Sequence, residues 1–287
     1  SVFSDLAEKL PKSEKKHYQN GSWDLPSHGE SYADCGSTLV KGCIHAEDHH
    51  GQDLFGKSRE GKIFVRLFKR TCLRAVCPIC YEKWAGKEAI KAEQRLNAWF
   101  KGSCKKPHVV HVVVSPPKKW QNVKDYALLR KVTYRILRKR GVIGGMLIFH
   151  PYRRNRELKK WYWSPHFHVL CYGWIHGVAR NFVLDGWIVK NLGIRKTIRG
   201  TIMYVLSHCG IHNAYHSVTW FGKLSYNKLH VDYLDPLEEY CPLCGRKLVP
   251  LKWINNPSEM PQVKQNGSWV EFEGWMRKRR PKYESLI

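Results

Sequence analysis

Two Cys-Pro-x-Cys knuckles, Cys77-Pro78-Ile79-Cys80 and Cys241-Pro242-Leu243-Cys244-Gly245, constrain this chain more than any other feature. Each puts two thiolates on one tight turn, where both sulfurs reach a single tetrahedral zinc, and each needs two more donors from another part of the chain. The fold must therefore close long loops. With 10 cysteines, several of them in knuckle spacing, metal explains them better than disulfides in a chain expected to be intracellular. Upstream of the first knuckle lie Cys35 and Cys43, in a Gly- and His-rich segment where Cys72, His45, His49 and His50 compete. Before the second, the nearest pair with suitable spacing is Cys209 and His212, with His208 and His216 as alternatives. Two structural Zn2+ are expected on this reading, one on Cys35, Cys43, Cys77 and Cys80, the other on Cys209, His212, Cys241 and Cys244.

Charge narrows the partners. Lys and Arg number 49 against 24 Asp and Glu, a formal surplus of +25, and a field of that sign draws polyanions, nucleic acid foremost. The 12 Trp and 43% hydrophobic content supply a packed core and exclude a disordered basic tail. The apolar run Val109–Val114 is far short of the ~20 residues of a membrane-spanning helix. The first residues also lack the charged-then-apolar order of a secretion signal. A soluble, cytoplasmic protein with no membrane partner is the expectation. The sequence has no Gly-x-x-x-x-Gly-Lys-Ser/Thr loop, so no ATPase or helicase is expected.

Three segments follow from composition and periodicity. Residues 1–80 read as an irregular, zinc-held appendage with one strand-like patch, Lys62–Phe68; 81–225 as a core of helical and strand-like segments; 226–287 as the second knuckle followed by a basic extension with Trp269, Trp275 and Arg277-Lys278-Arg279-Arg280. Within the core, Ala85, Ala89, Ala92 and Leu96 recur at helical spacing and His108–Val114 is a short β-branched strand. A second helix spans Asn122–Arg140, strands run over Val142–His150 and Pro165–Gly173, a strand-and-loop region follows, a short helix covers Thr201–His208, and Val218–Phe221 is a last strand. The order β-α-β-β-α-β predicts an α+β, ferredoxin-like antiparallel sheet with helices on one face.

The chemistry gathers on Ser164-Pro165-His166-Phe167-His168-Val169-Leu170. On a strand, residues i and i+2 share a face, so His166 and His168 project together and Phe167 enters the core on the other side. Two imidazoles so placed chelate one divalent metal, and His150, at the end of the preceding strand, is a candidate third ligand. Tyr204 and His208, four residues apart, share a helix face. Trp161 and Trp163 beside Lys159 and Lys160, with Arg153 and Arg154 shortly before them, suit stacking of unpaired bases among cations.

In order, the strand His108–Ser115, the triplet His166-Phe167-His168 and Tyr204 resemble the three motifs of HUH endonucleases, specifically the rolling-circle replication initiator (Rep) proteins of archaeal plasmids and viruses. The likeness covers roughly Lys105–Gly222. Where many relatives carry a Lys after the tyrosine, or a second Tyr four residues on, this chain has His208, so it is similar to the one-tyrosine class. The resemblance implies a metal-dependent, site-specific endonuclease and strand transferase, with Mn2+ or Mg2+ on His166, His168 and His150 and with Tyr204 as nucleophile. It also implies single-stranded origin DNA as substrate and the host replication machinery as partner. Two other readings stand beside it: a non-catalytic, zinc-stabilised nucleic-acid-binding protein, and a transposase or relaxase with the same chemistry.

Overall fold

The computed structural model of the chain describes residues 34–278 except 53–55, 101–107, 156, 159, 174–180, 185, 210–215 and 234–238. In chain order its elements are β1 (Thr38–Gly42), β2 (Lys62–Lys69), α1 (Tyr81–Ala98), β3 (Val110–Ser115), α2 (Tyr126–Lys139), β4 (Val142–Arg154) and β5 (Trp161–Gly173). There follow β6 (Asn181–Leu184), β7 (Trp187–Ile194), α3 (Ile198–Leu206), β8 (Val218–Gly222), β9 (Val249–Trp253), β10 (Ser268–Glu271) and β11 (Trp275–Arg277). The chain divides into two units, residues 73–234 and residues 32–72 with 235–287.

In the first unit β4 is buried from Gly144 through Pro151 and β5 from Ser164 through Tyr172. Strands apolar on both pleat faces need cover on both sides. The six-stranded sheet, in the order β6-β7-β3-β5-β4-β8 and antiparallel throughout, receives it. Met146, Ile148, Leu170 and Tyr172 pack with α1 and α3 on one face, through Ala85, Ala89, Leu96, Ile202 and Leu206. Leu147, Phe149, Phe167 and Val169 pack with Leu129, Ile136 and Leu137 of α2 on the other. The one-faced arrangement expected from the sequence is thus corrected: the β-α-β-β-α-β order is kept, but the near-continuous apolar run of β4 calls for helices on both faces. The strand-and-loop region expected after Gly173 holds the hairpin β6–β7, and β7 lies beside β3 while β8 pairs with β4.

Local signals fit these boundaries. Asp125 caps α2, accepting from the Leu128 backbone N–H at 2.9 Å, and Gly141 ends it at φ 83°. A Cβ on Gly145 would strike the Leu170 carbonyl oxygen, so only glycine allows β4 and β5 this close.

The second unit is a five-stranded antiparallel sheet, β10-β2-β1-β9-β11, around Ile63, Val65, Leu251, Val270 and Trp275. Segments from the two ends of the sequence share this sheet. The residues after Trp253, expected as a basic extension, supply two of its strands, and Trp275 is buried; Arg279 and Arg280 lie outside the described residues. Among the described residues no helix is long and apolar enough to cross a membrane.

Candidate active site

Strand alternation places four histidines on the sheet face that carries α1 and α3. On β5, His166 and His168 share the side of Leu170 and Tyr172, while Phe167 enters the opposite core. His150 of β4 stands directly across from His166, and Ile148, two residues earlier on the same face, stands across from His168. Facing nitrogens of His150, His166 and His168 all lie within 4.8 Å of one another. Ring centroids are 5.0 Å apart for His150–His166, 4.3 Å for His150–His168 and 5.3 Å for His166–His168. Beyond His150 the strand does not turn into an exposed bend: Pro151 is buried and β4 continues, with a bulge, to Arg154.

Hydrogen bonds orient the donors. The Nδ1 of His166 lies 2.8 Å from the Ser164 carbonyl oxygen; a carbonyl only accepts, so Nδ1 carries the proton and Nε2 keeps its lone pair. His150 is fully buried, and neither of its ring nitrogens has a hydrogen-bond partner among the described residues. Leaving such groups unpaired costs about 1–3 kcal/mol each, and a divalent cation would satisfy them. Burial, with the neighbouring imidazoles, pushes His150 and His168 well below their ordinary value. Burial, reinforced by the Arg153 charge, lowers His166 to about 3. All three rings are therefore neutral at physiological pH, the form that coordinates metal. Three neutral nitrogens with an orphaned ring among them could hold a metal ion, and imidazole is a poor donor for Mg2+, which demands oxygens.

Helix α3 supplies the second component. Tyr204 is half-buried against the core of this face, and its ring centroid is 4.8 Å from that of His208. The His208 ring in turn sits 4.9 Å from His150 and 5.9 Å from His168, so it bridges tyrosine and histidine cluster. Its Nδ1–H donates to the Tyr204 carbonyl oxygen at 2.7 Å, setting the ring's direction. The end of α3 is pinned to α1: the Tyr81 hydroxyl donates to the Leu206 carbonyl.

Cys209 lies beside that bond, its Sγ 3.1 Å from the Tyr81 oxygen, and burial pushes its thiol up to about 12. Cys209 is fully buried in the core of the first unit and is not among the donors gathered with Cys241 and Cys244, so its assignment to the second knuckle is corrected; His212 lies outside the described residues. The donors that join Cys241 and Cys244 are Cys43 and His49. The cause is sheet register: Gly42 at the end of β1 pairs with Val249 at the start of β9, which brings the residue after β1 to the knuckle before β9. His49 Nε2 lies 3.2 Å from the Cys244 sulfur and 3.3 Å from that of Cys241, and Cys43 and Cys244 are 3.5 Å apart. His49 Nδ1 donates to the Lys62 carbonyl at 2.5 Å, which leaves Nε2 free to coordinate. Burial opposes ionisation of Cys244, but the Arg246 backbone N–H and hydrogen bonds from His49, Cys43 and Cys241 outweigh it and hold the thiol below its ordinary value.

With Cys43 placed there, it leaves the first set, and the thiol beside Cys35 in the second unit is that of Cys72, sulfur to sulfur 3.9 Å. Cys43, His49, Cys241 and Cys244 are a mixed set of three thiols and one imidazole that could hold zinc.

The residues expected to touch DNA lie on the outer part of the β4–β5 hairpin, where Arg153 pairs with Tyr162 and Arg154 with Trp161; Lys160 is exposed just before β5 and Lys159 lies outside the described residues. Trp161 and Trp163 are partly buried against the two cores, so the aromatic most available for stacking is Tyr162, 50% exposed. The sequence reading missed it. Arg153 donates to the Ser115 hydroxyl at 3.0 Å. Comparison with protein-family models, with curated proteins and with solved structures finds no match for this chain.

Proposed function

We propose that this protein nicks and rejoins single-stranded DNA through a covalent 5′-phosphotyrosine at Tyr204, and so initiates rolling-circle replication at an origin served by the host replication machinery. The observation that carries the reading is the fully buried His150, both nitrogens unpartnered among the described residues, in a cluster of neutral imidazoles that His208 links to Tyr204.

His150, His166 and His168 would hold a divalent cation, Mn2+ or Mg2+, which when bound neutralises charge on a phosphate oxygen and polarises the phosphorus. The remaining work belongs to the chain. Arg153, beside the cluster, adds positive charge where a phosphodiester would sit. The Tyr204 hydroxyl gives up its proton as its oxygen attacks the phosphorus in line, the phosphorus–O3′ bond breaks, and the released 3′ oxygen takes up a proton, so none is gained or lost overall. The phenolic ester keeps the energy of the broken linkage, so reversal with a 3′ hydroxyl rejoins the strand without ATP. Tyr162 and the hairpin arginines stack and neutralise the unpaired strand. In the same reading each of the two Cys-Pro-x-Cys knuckles holds a structural Zn2+.

The test incubates the full chain with Mn2+ and a pool of 3′-labelled random single-stranded oligonucleotides, followed by a denaturing gel. Wild type should carry label on the protein and Tyr204→Phe none. If wild type binds the pool and never becomes labelled, it is a non-catalytic nucleic-acid-binding protein and this reading fails.

A further inference from the structure

A fourth histidine on this face has no part in the chemistry above. His111 is one polar side chain in the run Val110-His111-Val112-Val113-Val114 of β3, and it is 2% exposed. Alternation explains its direction: Val112 and Val114 enter the α2 core, so His111 must face the histidine cluster. Its Nε2 lies 2.9 Å from Nδ1 of His168, and its own Nδ1 is buried with no hydrogen-bond partner among the described residues. Its one hydrogen bond among those residues therefore goes to a member of the cluster, at a position where another valine would pack without any polar penalty.

The direction of that bond has a consequence at the far side of the His168 ring. A proton on His168 Nδ1, donated to His111 Nε2, leaves the lone pair on His168 Nε2. The reverse arrangement would put hydrogen on that nitrogen and end its use as a ligand. His166 is already set the same way by the Ser164 carbonyl. We infer that His111 is a positioning residue that holds His168 as the Nδ1–H tautomer with its ring turned toward His150 and His166, so that three lone pairs converge on one divalent cation. This inference deepens the proposed reading of the same site and concerns metal capture, not strand cleavage.

Partners that orient a ligand in this way typically contribute 10- to 100-fold in metal affinity. The experiment measures Mn2+ binding to the full chain by titration calorimetry, without DNA, for wild type, His111→Phe and His111→Gln, with thermal melting as the control for folding. His111→Phe should bind roughly 10- to 100-fold more weakly at an unchanged melting temperature, while His111→Gln, whose amide oxygen can accept in place of Nε2, should recover most of the loss. Equal affinity in a folded His111→Phe protein overturns the inference and leaves the metal site standing. No Mn2+ binding by wild type overturns the metal site itself, and the inference with it. Should the Phe variant not fold, long-range 1H–15N imidazole spectra of the metal-free wild type decide: the Nδ1–H form of His168 supports the role, and the Nε2–H form overturns it.

Discussion

Two of the donor clusters with histidine are built on opposite plans. The mixed cysteine–histidine set of the second unit has four donors, two thiolates from one knuckle and two residues from a segment nearly 200 positions earlier. A closed set of four donors leaves no room for a substrate, and a zinc held there would tie distant stretches of chain together. The imidazole cluster of the first unit has three neutral donors on adjacent strands of a sheet whose backbone ladder is already complete. It contributes nothing the sheet needs, it carries an orphaned ring, and a tyrosine stands next to it through His208. The lesson is that a metal site can be recognised as structural or functional by asking whether the fold around it is better or worse off when the ion is missing.

Chelation is the strongest way to break this contrast. A structural zinc contributes on the order of 10 kcal/mol to folding, so stripping metal should raise hydrogen exchange in Thr38–Gly42, Lys62–Lys69 and Val249–Trp253 to the level of unfolded chain. Protection of Val142–Arg154 and Trp161–Gly173 should persist. Equal loss in both sheets would erase the distinction.

His150→Leu sharpens it from the other side. Without that ligand, strand nicking should fall by about 10³-fold, the equivalent of several kcal/mol of charge stabilisation. The metal-free variant should nonetheless be more stable than wild type by about 1–3 kcal/mol, because a buried unpaired imidazole is replaced by hydrocarbon. Urea unfolding of both apo proteins measures this, and a less stable variant would show that His150 belongs to the packing.

Acid should expose the same penalty in smaller steps. Burial holds His111 and His166 at about 3 in the folded protein against an ordinary 6.5. Between about pH 6.5 and 3 the unfolded chain binds protons that the folded one refuses, so stability falls as pH falls through that window and levels off above pH 7. Each ring should contribute about 1.4 kcal/mol per pH unit. Urea midpoints of the metal-free protein across the window check the sign and the slope. Smallest is Tyr162→Ala, which should weaken single-stranded DNA binding by about 1 kcal/mol in a fluorescence-anisotropy titration and leave Mn2+ affinity unchanged.

Much of the first unit was legible along the chain. The spacing of Ala85, Ala89, Ala92 and Leu96 marked α1, and the alternation His166-Phe167-His168 sent two imidazoles one way and a phenyl ring the other. Misreadings arose where strand pairing decides. Cys209 precedes the second knuckle with suitable spacing, yet it is buried beside Tyr81, and the actual neighbours Cys43 and His49 arrive because β1 pairs with β9. Helices cover both sheet faces because β4 is apolar on both, a cue visible in Met146-Leu147-Ile148-Phe149. His111 offered one local signal, a histidine among valines, but nothing in β3 says that β5 will lie beside it.

By itself the sequence determined which residues could bind metal, which strand would offer two imidazoles on one face, and that the chain is strongly basic. Those properties follow from residue chemistry and from the two-residue period of a strand, which are local. Tertiary structure alone decided which distant donors complete each set, which histidine stands behind His168, and which tyrosine comes to stand beside the cluster. Register and helix docking are set by the burial of whole faces, a sum over many residues that no short window of sequence contains.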